Sequence, residues 1–199
     1  MLGGQSRRMG GGIKSLMTFN NKLIFERILE RLEPQINKIF INCNSEEIKL
    51  KKYNFPIVKD KKKGFLGPLA GIHAGMKWVK NNEKNVNWLI TIPGDTPFIP
   101  NDLVEKLTSK ISKNFKIVLI KSKNNIHPSI GMWHIDLLND LDKSLDNGAR
   151  KILTWAEKHP LGYINYSFQS YDPFFNINSK NDLKNASLIE KKHINKLKI

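Results

Sequence analysis

The chain has 199 residues, of which 40% are hydrophobic, and a formal net charge of +15. This length and composition predict one soluble globular domain spanning residues 1–199. A single cysteine, Cys43, excludes an intrachain disulfide, and the sequence shows no secretory signal; both features favour a cytoplasmic protein. No apolar run approaches the about 20 residues of a membrane-spanning helix, so we expect no membrane association.

The positive charge raises the question of a nucleic-acid partner, since a strongly basic balance is typical of such proteins. Only five of the 33 basic residues are Arg, and the lysines are spread along the whole chain. The sequence shows no Arg-rich segment and no interleaved aromatic motif for RNA. We therefore expect a solvated lysine surface that attracts anionic ligands and no nucleic-acid partner, and we keep a nucleic-acid-binding protein as the less favoured alternative.

The first element is a loop rich in Gly, Arg and Lys over residues 3–14. Glycine lets backbone N–H groups approach a ligand closely, and the basic side chains add positive charge, so this stretch predicts a polyphosphate-binding loop. It is not a P-loop, because Ile13 precedes Lys14, and it lacks the dinucleotide fingerprint Gly-x-Gly-x-x-Gly. A flexible tail is the alternative that glycine content alone leaves open.

The rest of the chain alternates short apolar runs with helical patterns. Helical spacing from Leu23 to Leu32 predicts an amphipathic helix that ends near Pro34. Apolar runs predict strands or extended segments at 38–42, 56–60, 88–92, 115–120, 130–133, 163–168 and 174–177. Further helices are predicted at 45–50, from Pro68 as first helical residue, after Asn101 as cap, at 136–143, at 149–158 and after Ser179 as cap.

This alternation predicts an α/β fold, a Rossmann-like three-layer sandwich with a mostly parallel sheet. Ligands of such folds bind beyond the carboxyl ends of the strands, where Asn42, Asp60 and Asp95 stand beside the glycine loop. The same logic places a strand before that loop, so we expect an apolar segment upstream of Met1. Residues 187–199 are expected to form a frayed basic tail.

Several motifs together resemble one family. The pattern Leu-Gly-Gly-x-x-x-Arg-Met-Gly-x-x-x-Lys over residues 2–14 is similar to the signature loop of the nucleotidyltransferase superfamily, and more closely to that of the molybdenum cofactor guanylyltransferases, the MobA type. The resemblance extends from residue 1 to about residue 183. It rests also on Asn42-Cys43-Asn44, Asp60, Gly67-Pro68-Leu69-Ala70-Gly71, Pro93-Gly94-Asp95-Thr96-Pro97-Phe98-Ile99-Pro100, His127-Pro128-Ser129 and Phe175-Asn176-Ile177-Asn178.

The resemblance implies that the chain transfers GMP from GTP to the phosphate of Mo-molybdopterin and releases pyrophosphate. It assigns Mg²⁺ binding to Asp95, for which a simple turn residue is the bland alternative. Lys14 and Arg8, which could otherwise be solvated surface residues, would hold the phosphates and the departing pyrophosphate. The implied GTP contacts are Leu2, Gly3, Gly4, Lys14, Asn42, Asp60 and Asp95.

Some assignments stay open at this point. A second metal ligand could be Asn176 or Asn178, and either Asn42 or Asp60 could read the guanine. His127 would lie near the pterin or merely order a loop, and Cys43 is expected to be a small buried residue. Another nucleotidyltransferase, a cytidylyltransferase acting on the same pterin or a sugar-phosphate enzyme, is the alternative function, and a catalytically dead nucleotide sensor is a further one. We expect a monomer, with cofactor-insertion proteins of molybdoenzymes as possible partners.

Overall fold

The computed structural model describes residues 1–2, 13–45, 48–62, 67–111 and 113–194. The strands in these ranges are β1 (Thr18–Phe19), β2 (Lys22–Leu23), β3 (Ile41–Asn42), β4 (Ile57–Val58), β5 (Trp88–Thr91), β6 (Ile117–Ser122), β7 (Asn125–His134) and β8 (Leu161–Tyr166). The α-helices are α1 (Ile24–Leu32), α2 (Ile48–Lys51), α3 (Pro68–Asn82), α4 (Leu103–Thr108), α5 (Leu138–Asp146), α6 (Ile152–Ala156) and α7 (Lys180–Ile189).

The strands form three sheets. The largest has the order β5-β7-β6-β8, with β7 antiparallel to both of its neighbours and β8 parallel to β6. β3 and β4 form a parallel pair, and β1 and β2 an antiparallel one. The predicted mostly parallel sheet is therefore wrong for the largest sheet, which is mixed. The reason is the link between β6 and β7: only Lys123 and Asn124 separate the two strands, and Lys123 has φ 51°. Two residues can close a hairpin but cannot make the crossover that a parallel pair needs.

Helices cover both faces of the four-stranded sheet. Val118 and Ile120 of β6 pack into one apolar core, and Ile117 and Leu119 into the other, as the alternation of a strand requires. All four side chains are fully buried. The first core is completed by residues of α1, α4 and α7, and the second by residues of α3, α5 and α6. The chain thus has a mixed α/β architecture with a sheet between two helical layers.

Several predicted boundaries agree with the structure. The amphipathic helix is α1, and α3 begins at Pro68, preceded by Gly67 with φ 67°. Ser179 caps α7, because its hydroxyl accepts the Asp182 backbone N–H at 3.1 Å. Other predictions are wrong: the N-cap of α4 is Asp102 instead of Asn101, β7 begins at Asn125 instead of residue 130, and residues 174–177 form a loop instead of a strand.

The segment that follows α7 is attached to the body of the protein. Residues 187–189 belong to α7 and Glu190–Ile194 forms a π-helical turn, so the expected fraying does not begin at residue 187. Glu190 accepts a hydrogen bond from the buried Arg27 guanidinium at 2.9 Å, and Arg27 also donates to the Phe19 carbonyl at 2.6 Å. Across the described ranges, none of the helices has the length and apolar character needed to cross a membrane.

Candidate active site

The predicted site residues converge where β3, β4 and β5 end. β5 stops at Thr91, and the loop that follows it carries Asp95. Asn42 is the last residue of β3, and Asp60 lies two residues beyond β4. A small cavity of about 60 Å³ opens beside this loop, lined by Met1, Leu2, Lys14, Ser15, Pro93, Gly94 and Asp95. The structure therefore brings Leu2, Lys14 and Asp95, which the sequence singled out separately, into one pocket.

Backbone hydrogen bonds fix Leu2 at this pocket. The Leu2 N–H donates to the Asn42 carbonyl, and the Gly94 N–H donates to the Met1 carbonyl, each at 2.8 Å. Gly94 allows this close approach, since a Cβ at that position would come within 2.4 Å of Leu2 Cδ2 and 3.1 Å of Ser15 Cβ. Leu2 is buried, so its contribution to a ligand would come from the backbone.

Asp95 is the carboxylate among the residues that line this cavity. Burial raises the pKa of its carboxyl group, and the nearby Lys14 ammonium opposes that rise. The Asp95 carbonyl accepts the Ile177 N–H at 2.9 Å, which ties the loop after β5 to the segment ahead of α7. A carboxylate that is partly removed from water is stabilised by an additional cation, so Asp95 is suited to hold a metal ion.

Asn176 and Asn178 lie beside these residues. The Lys14 ammonium donates to Asn178 Oδ1 at 2.6 Å, and the buried Thr96 hydroxyl donates to Asn176 Oδ1, also at 2.6 Å. Each amide oxygen thus holds another residue of the site in place. Ser15 Oγ is buried and has no hydrogen-bond partner among the described residues. Because it lines the same cavity, it is a polar group that a ligand could satisfy.

Asp60 is held by two amides. Its Oδ1 accepts from Asn42 Nδ2 and its Oδ2 from Asn44 Nδ2, each at 2.8 Å. The Asp60 N–H donates in turn to Asn44 Oδ1 at 2.8 Å. Asn42 also donates to the Val58 carbonyl at 3.1 Å and is buried. Since each carboxylate oxygen has a second lone pair, Asp60 can still accept hydrogen bonds from a ligand.

Sequence reasoning gave no role to Asn44, Thr96 or Ser15. Each lies next to a residue that the sequence did select. Asn44 hydrogen-bonds to Asp60, whereas Thr96 follows Asp95 and Ser15 follows Lys14 along the chain. Asn44 and Thr96 were already part of the quoted motifs, so adjacency was the available signal. For Ser15, whose side chain has no partner in the described part of the chain, only the structure reveals the burial.

His127 belongs to a separate cluster at the start of β7. The Ser122 hydroxyl donates to Asp172 Oδ2 at 2.9 Å and lies 2.6 Å from His127 Nε2. Since the single hydroxyl proton goes to Asp172, the His127 Nε2–H is the donor to Ser122. Burial lowers the pKa of His127, and Asp172 opposes this. Because residues 125–134 form β7, His127 does not order a loop before Pro128; its contacts instead link β7 to Ser122 of β6, and the expected proximity to a pterin stays a prediction.

The donor set fits Mg²⁺ bound together with a substrate. In the parts of the chain that the structure describes, no three His, Cys, Asp or Glu side chains gather into a metal cage. Mg²⁺ usually binds through one or two carboxylates together with substrate phosphates and waters. The half-buried Asp95 beside a cavity lined by Lys14 matches that requirement.

Three predicted site residues, Gly3, Gly4 and Arg8, lie outside the described residues. Their roles in binding GTP and pyrophosphate stay predictions. Cys43 is buried, as expected for a small apolar residue.

Comparison with known proteins identifies the family. The profile of the MobA-like NTP transferase domain matches residues 1–160. The chain is 35% identical over 188 residues to a molybdenum cofactor guanylyltransferase of Nitrobacter hamburgensis, covering 94% of this chain and 90% of that one. It is 32% identical to one from Rhodopseudomonas palustris, covering 95% and 91% of the two chains. The crystal structure of the molybdopterin-guanine dinucleotide biosynthesis protein A from Archaeoglobus fulgidus superposes with a TM-score of 0.75 at 26% identity, covering 96% of each chain. The chain therefore belongs to the MobA-like NTP transferase family, as its motifs predicted.

Proposed function

We propose that this protein is a molybdenum cofactor guanylyltransferase, which transfers GMP from GTP to the phosphate of Mo-molybdopterin and releases pyrophosphate. The observation that carries the proposal is the pocket that joins Asp95, Lys14 and the Leu2 backbone at the carboxyl ends of the strands. The relatives that match nearly the full chain bear this name.

The reaction asks the protein for alignment and charge neutralisation. An oxygen of the pterin phosphate attacks the α-phosphorus of GTP, and the bond from that phosphorus to the bridging oxygen of pyrophosphate breaks. The nucleophile is already an anion, so no general base is required. The catalytic residues then act by positioning the phosphates and by stabilising charge in the transition state.

Lys14 is the described basic residue placed for this task. Its ammonium lies beside Asp95 and is held by Asn178 Oδ1 at 2.6 Å. Asn178 thus acts as a positioning residue that aims Lys14 at the phosphates. Arg8 would hold the pyrophosphate from the glycine loop, where a planar guanidinium matches phosphate oxygens.

Asp95 would hold Mg²⁺. When bound, the ion supplies charge neutralisation to the α-phosphate and pyrophosphate oxygens. Thr96 and Asn176 fix the loop through their mutual hydrogen bond, and the Ile177 N–H holds the Asp95 carbonyl. The carboxylate is thereby presented to the pocket from a restrained backbone.

In this proposal Asp60 binds the guanine base, and Asn42 positions Asp60. Guanine offers two adjacent donors, N1–H and N2–H, which one carboxylate can accept together. Asn42 is buried, and its amide N–H groups are used by Asp60 and the Val58 carbonyl. Asp60 is less buried and keeps free lone pairs, so it is the residue available to the base. The cytoplasmic location is predicted from the single cysteine and the lack of a secretory signal, and the monomeric state and the insertion-protein partners stay predictions.

The test is product formation from Mo-molybdopterin with Mg²⁺ and each of GTP, CTP, ATP and UTP. We expect the guanine dinucleotide and pyrophosphate from GTP alone. Asp95→Asn is expected to lower the rate at least about a hundredfold, as loss of a preorganised charge contact does. The matched control is Asp136→Asn, an exposed carboxylate paired with Lys116 and placed next to the start of β5.

The outcomes separate the parts of the proposal. An Asp95→Asn rate equal to wild type would remove the metal assignment. A preference for CTP would keep the site and make the protein a cytidylyltransferase. Binding of RNA or DNA that weakens steeply with salt, without any turnover, would favour the nucleic-acid-binding alternative.

A further inference from the structure

A network of charged and polar side chains joins the segment that follows β4 to two helices. Lys62 lies two residues beyond Asp60, and its ammonium contacts three oxygen atoms of α5. It donates to the Asp142 carbonyl at 3.3 Å, lies 3.0 Å from Asp142 Oδ1 and donates to Asp146 Oδ1 at 2.5 Å. An ammonium has three donors, so these contacts use all of them. We call the residues Lys62, His73, Asp142 and Asp146 the Lys62 network.

The helix α5 gives this network a well-packed base. Leu141 and Leu145 of α5 are buried in the apolar core that α5 shares with α3 and α6. Asp142 and Asp146 follow these leucines along the chain, and their spacing of four residues brings both carboxylates to one face of the helix. Two like charges at that spacing repel, so a cation between them stabilises the last turns of α5. Lys62 supplies this cation, and its side chain is only 21% exposed.

His73 connects the network to α3. Its side chain is 2% exposed, and its Nε2 lies 2.9 Å from Asp142 Oδ1. Burial lowers the pKa of His73, so the ring is neutral at pH 7 and its Nε2–H donates to the carboxylate. The hydrogen bond from Lys62 lowers the pKa of Asp142, which therefore stays an anion between two donors. The network thus ties the segment after β4 to two of the helices on one face of the four-stranded sheet.

The place of Lys62 matters because of Asp60. Asn42 and Asn44 hold the Asp60 carboxylate, and Asn44 also accepts the Asp60 N–H. These bonds fix Asp60 relative to β3, whereas Asp95 is carried by the loop after β5 of the large sheet. A nucleotide that contacts both residues requires a defined distance between the two sheets. Lys62 helps to set that distance, because two residues of chain span at most about 7 Å and α5 packs on the large sheet.

We propose that Lys62 is a positioning residue for Asp60 and that it sets how strongly the site prefers guanine over a base without the N2 amino group. The inference rests on the proposed function, in which Asp60 accepts the N1–H and N2–H of guanine together. A carboxylate accepts two parallel donors only when it lies near their plane and within hydrogen-bond distance of both. A shift of the chain at residue 60 therefore weakens this paired contact more than a contact to a single donor. Lys62 acts through Asp60, since its own three donors are already used by α5.

The experiment measures the dissociation constants of GTP and inosine triphosphate, each with Mg²⁺, by isothermal titration calorimetry. Inosine triphosphate differs from GTP in lacking the N2 amino group. The proteins are wild type, Lys62→Met, Lys62→Arg and the matched control Lys116→Met. Lys116 contacts Asp136 and His134 in a similar network, just before β6 and at the end of the large sheet opposite to Asp95.

We expect wild type to bind GTP about tenfold or more tightly than inosine triphosphate, since the latter loses one hydrogen bond to a charged group. In Lys62→Met this preference is expected to fall about three- to tenfold, mainly through weaker binding of GTP. Lys62→Arg should restore most of the preference, because a guanidinium can also bridge two carboxylates. Lys116→Met should leave the preference unchanged. A merely structural role of Lys62 would weaken the binding of both nucleotides equally and would not change their ratio.

Hydrogen exchange at the Asp60 amide gives a second readout that needs no nucleotide. This N–H donates to Asn44 Oδ1 at 2.8 Å. Lys62→Met should speed its exchange at least about threefold, with the Val118 amide in the middle of β6 as the internal reference.

An unchanged GTP preference in Lys62→Met would overturn the inference, as would unchanged exchange at Asp60 or an equal fall in preference in Lys116→Met. A wild type that does not prefer GTP would instead show that the guanine assignment in the proposed function is wrong, and the inference would fail with it. The wild-type and variant measurements therefore distinguish the two failures.

Discussion

The four-stranded sheet and the β3–β4 pair are built very differently. In the first, Ile117, Val118, Leu119 and Ile120 are fully buried between two helical layers. In the second, each strand has two residues, β3 borders an apolar cavity of about 420 Å³, and Ile57 is 37% exposed. The candidate site takes Asp95 from the large sheet and Asn42 and Asp60 from the small one. The candidate active site therefore lies between the well-packed four-stranded sheet and the less supported β3–β4 pair. Functional residues are often found in such less stable parts of a fold.

Two tryptophan substitutions test the contrast between the two sheets, and they are expected to give the largest change in the free energy of unfolding. Trp133 is fully buried, donates to Thr91 Oγ1 at 2.8 Å and stacks on Trp155. Trp133→Ala is expected to lower the free energy of unfolding by about 3–5 kcal/mol. Trp78 lines the apolar cavity beside β3, so Trp78→Ala enlarges a space that already exists, and we expect less than half of that loss. Urea denaturation of both variants gives the comparison; equal losses would contradict it.

The pH dependence of stability tests the burial of the Met1 amino group, which donates to the Ile92 carbonyl at 2.8 Å. The Met1 amino group has its pKa lowered from 8.0 to about 6, chiefly by burial. The unfolded chain then binds more protons between these values, so stability present above pH 8 is lost as pH falls toward 6. The shift corresponds to up to about 3 kcal/mol. Burial also lowers the pKa of three histidines, which adds a loss of the same sign below about pH 6.5: His73, His127 and His134.

N-terminal acetylation provides the control for that measurement. It removes the titrating group and leaves the histidines in place. Unfolding free energies of the acetylated and free chains should therefore differ in slope between pH 6 and 8. Parallel pH profiles would show that the Met1 amino group is not buried in solution.

Substitutions of two glycines test the same contrast between the two sheets, with a smaller expected change in stability. A Cβ at Gly131 would lie 2.6 Å from the Val118 carbonyl oxygen, so Gly131→Ala forces a backbone shift in the large sheet and should cost about 1–3 kcal/mol. A Cβ at Gly75 meets the tips of Leu89 and Phe40 at 2.9 and 3.1 Å, and both residues line the apolar cavity beside β3. Gly75→Ala also gains about 1 kcal/mol of helix propensity, so its net effect should be near zero. Thermal unfolding distinguishes the two; a larger loss for Gly75→Ala would refute the contrast.

The sequence predicted well the features that depend on local information. The largely apolar run over residues 88–92, followed by Pro and Gly, predicts both β5 and the loop that carries Asp95. Pro68 marks the start of α3, and Ser179 marks that of α7, because caps are local chemistry. The motif combination also predicted the family, which the comparisons confirm.

Features that depend on residues far apart in the sequence were not predicted, for physical reasons. The Lys14–Asn178 hydrogen bond joins residues 164 positions apart, and no local pattern encodes such a pair. The antiparallel direction of β7 could have been predicted from the sequence, since the link through Lys123 and Asn124 is too short for a crossover connection. The strand was predicted to begin at residue 130, five residues late, which hid the short link.

In the proposed function, Asp95 binds Mg²⁺ together with GTP in the pocket of Lys14 and Leu2. The most direct measurement is the GTP-induced shift in melting temperature, with and without Mg²⁺, for wild type, Asp95→Asn and Asp136→Asn. At a GTP concentration of about 100 Kd, native-state binding adds about 2.7 kcal/mol, or roughly 5–10 °C for a chain of this size. We predict that shift for wild type and Asp136→Asn only when Mg²⁺ is present, and its loss in Asp95→Asn. An undiminished Mg²⁺-dependent shift in Asp95→Asn would contradict the account.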